Sequence, residues 1–463
     1  MKDIRFDLSG LMAEHIGPEA GLSANEIRDG LARGTSASDW IRKIRKEGKI
    51  GFLDIPSDKA VADRIAAETA RIAPAFENVV VLGIGGSGLG CRMLQNALLP
   101  SYANLRDRAA RRNRPRLFVY DNVDPAEFEG LLSAAPPEKT LYNVISKSGT
   151  TVETLAAFLL VWDRLKKAVG LKAKDHVVLT TDPLIGPLRE ISKEEGILAF
   201  DVPGNVGGRF SVLSAVGLVP AALAGIDIRP LLAGAERMAA RCLAEPAEKN
   251  PGIAGAVAHV LFASRGRAIT AMMPYIAGLR QFSEWFAQLW AESLGKKKPG
   301  GGHAGLTPAK ALGVTDQHSQ LQLYLEGPQD KVVGFLAVDE RECDVTLPAP
   351  FPGKTALNYL GGATLGGLLD VERRATEAAF RDVKRPSWTL TLPRLDGESL
   401  GQAIVLFEHM TAAAGHLFGI DPFDQPAVEI GKRKADATLG KPGSDPKMVL
   451  PPAAKALPGG WVV

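Results

Sequence analysis

Short β-branched runs that stop abruptly at glycine or polar turns recur along this chain, and they restrict its fold more than any other feature. Val79-Val80-Val81-Leu82 runs straight into Gly83-Ile84-Gly85-Gly86-Ser87-Gly88-Leu89-Gly90. Similar runs occupy 116–120, 140–145 and 176–180, with helical patterns between them. Strands that alternate with helical stretches predict βαβ units around a parallel sheet. From about residue 226 the theme returns, with strand-like runs at 267–273, 331–337 and 388–392 and a long apolar-periodic helix over 400–418. The expected class is therefore α/β, with two lobes of parallel-stranded sheet flanked by helices. Residues 1–60 read as a helical N-terminal arm, 61–225 and 226–432 as the two lobes, and the Lys-, Pro- and Gly-rich 433–463 as a C-terminal tail, an arm or partly mobile.

Composition narrows the function. A length of 463 residues suits two to four domains, and 46% hydrophobic with 23% charged residues is ordinary for a soluble globular protein. Fifty-five Lys+Arg against 52 Asp+Glu leave a net charge of +3, too balanced for a nucleic-acid or polybasic membrane protein. Cys91, Cys242 and Cys343 show no CxxC spacing, which points to a reducing cytoplasm rather than a disulfide framework. Residues 1–17 lack the apolar core of a signal peptide. The longest uncharged run, between Arg209 and Asp227, contains Ser211, Ser214, Gly217 and Pro220 and reads as a buried helix, not a membrane span. The histidines show neither HxH nor HExxH spacing, so no metal is expected. His259 and His409 fall on helical patterns and read as core or interface residues.

Six segments carry groups able to do chemistry. Gly83, Gly85 and Gly88 satisfy GxGxxG after a strand, which suits an anion or a dinucleotide. Asp121 is the candidate ribose acid, although it lies beyond the usual spacing of about 20 residues. A ligand-free turn explains the glycines equally well. In 146–154, Ser146, Ser148, Thr150 and Thr151 converge on an expected helix start, where Thr150 and Glu153 have capping-box spacing. Capping needs one hydroxyl and this loop supplies four, so a phosphate cradle is the favoured reading. In 205–211, Arg209 follows two glycines; it suits oxyanion stabilisation or, more plainly, a solvated surface. Glu292 ends an apolar helix one turn after Gln288 and suits general-base work, or is an exposed helix-end acid. The lysines and glycines of 296–302 read as a solvated loop. His318, in a polar loop, can move protons near neutral pH. Lys432 lies about two turns into a helix expected to start at Pro426, on the side of Glu429, and alone reads as solvated.

In order along the chain, GIGGSGLG, SKSGTTVET, NVGGRFSVLSAVGL, QLWAESLGK, GVTDQHSQLQ and FDQPAVEIGK resemble the phosphoglucose isomerase family, compact bacterial type. The resemblance spans 83–432. It implies two sugar-isomerase (flavodoxin-like) lobes in a homodimer, with no cofactor, acting on glucose 6-phosphate and fructose 6-phosphate through a cis-enediolate. It also implies roles. Ser146, Lys147, Ser148, Thr150 and Thr151 match the phosphate loop, Gly86 and Ser87 line the sugar, and Gln288 contacts substrate. Glu292 matches the base, Arg209 the group that stabilises the intermediate, and His318, from the other subunit, with Lys432 the ring-opening pair. Many members carry MESNGK where this chain has Ala291-Glu-Ser-Leu-Gly-Lys296, which marks the pocket wall near Leu294 as a point of difference.

Overall fold

Two five-stranded sheets organise the residues described by the computed structural model, 2–243, 246–351 and 353–450. The chain divides into units Met1–Pro422 and Phe423–Val463, and both sheets lie in the first. The N-terminal strand β1 (Arg5–Asp7) belongs to the second sheet. The first sheet is built from β2 (Asn78–Leu82), β3 (Arg116–Tyr120), β4 (Thr140–Ile145), β5 (Val177–Thr181) and β6 (Leu198–Asp201). Its order is β3-β2-β4-β5-β6, and all neighbours are parallel. Every residue of β2 and β4 is buried, as expected of parallel strands covered on both faces.

That order has a functional consequence. The chain leaves β2, pairs β3 on one side, then returns to pair β4 on the other. The order reverses between β2 and β4, and such reversals open a crevice at the C-terminal strand ends. The loops that enter this crevice are the two glycine- and hydroxyl-rich segments, after Leu82 and after Ile145.

The second sheet starts with β7 (Ile269–Pro274). A two-residue ladder, β8 (Lys296–Lys297) antiparallel to β9 (His303–Ala304), stands apart, so the lysine–glycine segment is a closed hairpin rather than an open loop. With β10 (Thr307–Lys310), β11 (Lys331–Glu340) and β12 (Ser387–Arg394), the sheet order is β1-β12-β11-β7-β10. All its pairings are parallel except that of β1 with β12. The helix Gly397–Phe418 lies beneath it, buried from Ser399 to Gly415. It presses on Ile228–Cys242 so closely that a Cβ on Gly401 would lie 2.0 Å from the Leu231 carbonyl. Phe407 meets Phe282 and Phe286 edge-on at 5.6 and 5.3 Å, which fixes the helix Arg280–Leu294 on the core.

The first sixty residues depart from a purely helical arm. Arg5–Asp7 is a strand, and the helix that starts at Ala24 runs to Lys46. Ser23 and Glu26 close its N-terminus reciprocally as a capping box. The uncharged run after Arg209 forms the buried helix Ala215–Leu223. No helix among the described residues is long and apolar enough to cross a membrane. In the second unit, Val428–Thr438 is helical, so 433–438 of the expected tail are ordered helix; 451–463 lie outside the described residues.

Candidate active site

The crevice is built first by backbone. Gly85 has φ +59° and ψ −123°, a conformation that L side chains rarely adopt, and it lets the helix Gly86–Leu98 start immediately. Ser87 sits in that first turn, where helix N–H groups lack intrahelical acceptors. A Cβ on Gly86 would lie 2.2 Å from the Gly208 carbonyl, so this glycine admits the arginine-bearing turn. Asp121 is occupied elsewhere: Arg92 grips it with Nε at 2.7 Å and Nη2 at 2.8 Å. The dinucleotide reading thereby loses its ribose acid.

The loop after β4 does not form the capping box its spacing suggests. Its helix runs Val152–Val169 with Thr151 at the N-cap and no side-chain capping bond. The hydroxyls bond one another instead. Ser146 Oγ meets Thr151 Oγ1 at 2.8 Å, and Thr150 donates to Ser148 Oγ from its hydroxyl at 2.9 Å and its amide at 3.2 Å. Ser148 and Thr150 are exposed at the helix N-terminus, where the positive end of the dipole favours an anion. Lys147 turns its ammonium the other way, to the carbonyls of Gly204 and Val206, both at 2.8 Å.

Arg209 is not a solvated surface residue. It is 4% exposed, on the 3-10 turn Gly208–Phe210. Its Nε donates to Ser293 Oγ at 2.6 Å and its Nη2 to the Pro422 carbonyl at 2.5 Å. Nη1 stands 3.6 Å from Glu292 Oε2. Glu292 keeps 23% of its side chain exposed and accepts a hydrogen bond from Gln288 Nε2 at 3.1 Å, across one helical turn. Gln288 Oε1 is buried with no partner, and its Nε2 is 3.2 Å from where a Cβ on Gly85 would sit. The structure thus brings Gly86, Arg209, Gln288 and Glu292 together, with the hydroxyl loop joined through Lys147. A fixed cation beside a partly exposed carboxylate can move a proton and steady the charge that develops. Ser293 was not singled out by the sequence, although it adjoins Glu292; as the holder of Arg209 it completes the arrangement. Leu294 is fully buried in the core and walls no cleft.

His318 is exposed on the 3-10 turn Thr315–His318 and makes no hydrogen bond or ion pair among the described residues. Its neighbours fix the turn. Asp316 accepts from the Leu312 amide and from Ser319 Oγ, each at 2.6 Å, and Gln317 Nε2 reaches Tyr275 Oη at 2.7 Å and Thr376 Oγ1 at 2.6 Å. Within the first unit no bond joins His318 to Glu292. Lys432, in the second unit, is the fifth residue of Val428–Thr438, one turn in rather than two, because the helix starts after Pro426; it pairs with Glu429 at 3.0 Å. His259 and His409 are buried, and burial depresses them to about 4 and about 3. Among the described residues no three His, Cys, Asp or Glu side chains converge to hold a metal ion.

Comparison with known proteins adds an independent line. The family model described as phosphoglucose isomerase matches residues 59–341 and 363–449. The chain is 43% identical to the glucose-6-phosphate isomerase of Carboxydothermus hydrogenoformans over 420 residues, 89% of this chain and 90% of that one. It is 42% identical to the enzyme of the same name from Rubrobacter xylanophilus, over 96% of this chain and 99% of that one. Among solved structures, a hypothetical protein from Thermus thermophilus superposes with a TM-score of 0.85 at 35% identity, over 94% of this chain and 100% of that one.

Proposed function

The chain belongs to the phosphoglucose isomerase family, and from that premise we propose that Glu292, backed by Arg209, carries the family's proton transfer here. The reaction is the reversible isomerisation of glucose 6-phosphate and fructose 6-phosphate, an aldose–ketose step of glycolysis and gluconeogenesis. Aldose and ketose differ by one proton between adjacent carbons and one between their oxygens. A single carboxylate can carry the carbon-bound proton from C2 to C1 through a cis-enediolate. The negative oxygen of that intermediate needs a nearby cation, and Arg209 can supply it. The observation that carries the reading is the 3.6 Å approach of a buried guanidinium to a partly exposed carboxylate.

The remaining roles follow from chemistry and position. The exposed hydroxyls of Ser148 and Thr150, with Ser146 and Thr151 behind them, suit the phosphate, whose binding energy holds the sugar in register. Gly86 and Ser87 suit contact with the sugar, and the unpartnered Gln288 Oε1 suits a substrate hydroxyl. His318, assisted by Lys432, opens the ring. The active assembly is a homodimer in which His318 serves the partner's site; its exposure, and the lack of a hydrogen bond or ion pair to it among the described residues, support this. Two separate sheets support lobes at 61–225 and 226–432. Free Cys91, Cys242 and Cys343 suit a reducing, cytoplasmic compartment.

The test is a coupled assay of fructose 6-phosphate conversion. Glu292→Gln keeps the shape of the site and removes the base, so turnover is abolished while substrate binding, read by competition, stays close to wild type. Near-wild-type turnover in that variant would refute the assignment.

A further inference from the structure

We infer that Lys147 is a positioning residue that ties the phosphate loop to the Arg209 turn, rather than the cation that neutralises the phosphate. The inference rests on the proposed function of this site. A lysine in an anion-binding loop ordinarily serves as a charge for the anion. Here the ammonium donates to the carbonyls of Gly204 and Val206, each at 2.8 Å, which commits two of its three N–H groups to backbone. It is half-buried and forms no ion pair among the described residues. Burial lowers its pKa, and the charge of Asp182 offsets this only in part. A half-buried ammonium is tolerated when its donors are satisfied, and these carbonyls satisfy them.

The carbonyls lie where they matter. Only Gly207 separates Val206 from the turn Gly208–Phe210 that carries Arg209. Upstream, the same segment is fastened by Asn205, whose amide reaches the Gly48 carbonyl at 3.1 Å and whose carbonyl accepts from the Gly51 amide at 3.1 Å. Lys147 therefore holds the last point before a flexible glycine admits the arginine. The backbone of Lys147 is fixed in turn, its carbonyl accepting from the Asp182 amide at 3.0 Å. The phosphate loop and the oxyanion arginine are thus joined by one side chain, and an anion that orders the first orders the second.

The two roles separate kinetically. A lost phosphate contact weakens ground and transition states alike and raises KM, whereas a displaced Arg209 acts on the transition state and lowers kcat. For Lys147→Met we expect kcat to fall by about tenfold or more, since sub-ångström misplacement of a reacting group is costly. Inorganic phosphate, measured as a competitive inhibitor, should bind within about threefold of wild type, because a remote charge contributes little in water. Lys147→Arg, which can still donate to both carbonyls, should restore most of kcat. In an Arg209→Lys background, Lys147→Met should cost little more, as coupled residues are non-additive. A raised KM with unchanged kcat, a parallel loss of phosphate binding, or full additivity with Arg209→Lys would each overturn the inference. If Lys147→Met does not fold, Lys147→Gln carries the same comparison with one donor group retained. The site reading fails separately, if Arg209→Lys alone leaves kcat intact.

Discussion

Glu408 sits in the middle of the helix Gly397–Phe418, fully buried, with no partner for either carboxyl oxygen. Burial holds its pKa well above the usual carboxylate range, so the folded protein retains this proton to higher pH than the unfolded chain does. The sign follows from proton linkage. Above about pH 4.3 the unfolded chain releases this proton while the folded one retains it, so stability is fully present below that pH and declines as pH rises toward the folded pKa. Glu408→Met fills the same space without unmet polar atoms and should stabilise by about 1–3 kcal/mol. The gain should be larger at pH 8 than at pH 5; urea unfolding at both pH values checks it, and equal gains would rule the account out. Residue by residue, legibility was uneven. The sequence singles out Glu292, Arg209 and Gln288, and the structure brings the three together, but the burial of Arg209 depends on Ser293 and the Pro422 carbonyl, far away in sequence, and no local spacing encodes that.

Elements were legible where a strand was long and β-branched. The patterns at 116–120 and 140–145 match β3 and β4 to the residue. β1, β6 and β10 were missed because Arg-Phe-Asp, Leu-Ala-Phe-Asp and Thr-Pro-Ala-Lys are too short or too poor in strand formers to declare themselves; their neighbours in the sheet hold them. The capping spacing of Thr150 and Glu153 misled for a similar reason. Local spacing permits a box, and the hydroxyl pairs of the loop displace it. The start of the helix Gly86–Leu98 supports a direct test. Alanine there favours helix by up to about 1 kcal/mol, yet its Cβ would fall 2.2 Å from the Gly208 carbonyl and push the Arg209 turn away. Gly86→Ala should therefore lower kcat at least about tenfold, more than any loss in melting temperature accounts for. Gly130→Ala is the control, since nothing lies within 4 Å of its added Cβ, and it should leave kcat unchanged. Equal kcat in the two variants would show that the close approach does not govern the site.

At the scale of the molecule, two sheets could be read from the alternation of strands and helices, because each is assembled mainly from a continuous stretch of chain. The arrangement of His318 could not be read from contacts, because among the described residues of the first unit no hydrogen bond or ion pair joins it to Glu292 or Arg209. The proposed dimer makes this testable without a further structure. Glu292→Gln and His318→Gln proteins, each inactive alone, should regain activity when dissociated, mixed and reassociated. A mixed dimer has one site with both residues intact if His318 crosses the interface, and none if it does not. No recovery from demonstrably mixed dimers would return His318 to its own chain's site.

The antiparallel pairing of Arg5 with Thr391 also bears on how the protein is made. The ribosome delivers β1 long before β12. The first sheet draws all its strands from 78–201 and can form while synthesis continues. The second cannot close its outer edge until β12 has emerged to meet β1, and without β1 the exposed side of β12 would be a template for strands of other chains. The early strand works as a late seal, so a shortened N-terminus would be felt first as aggregation of newly made chains rather than as a change in catalysis.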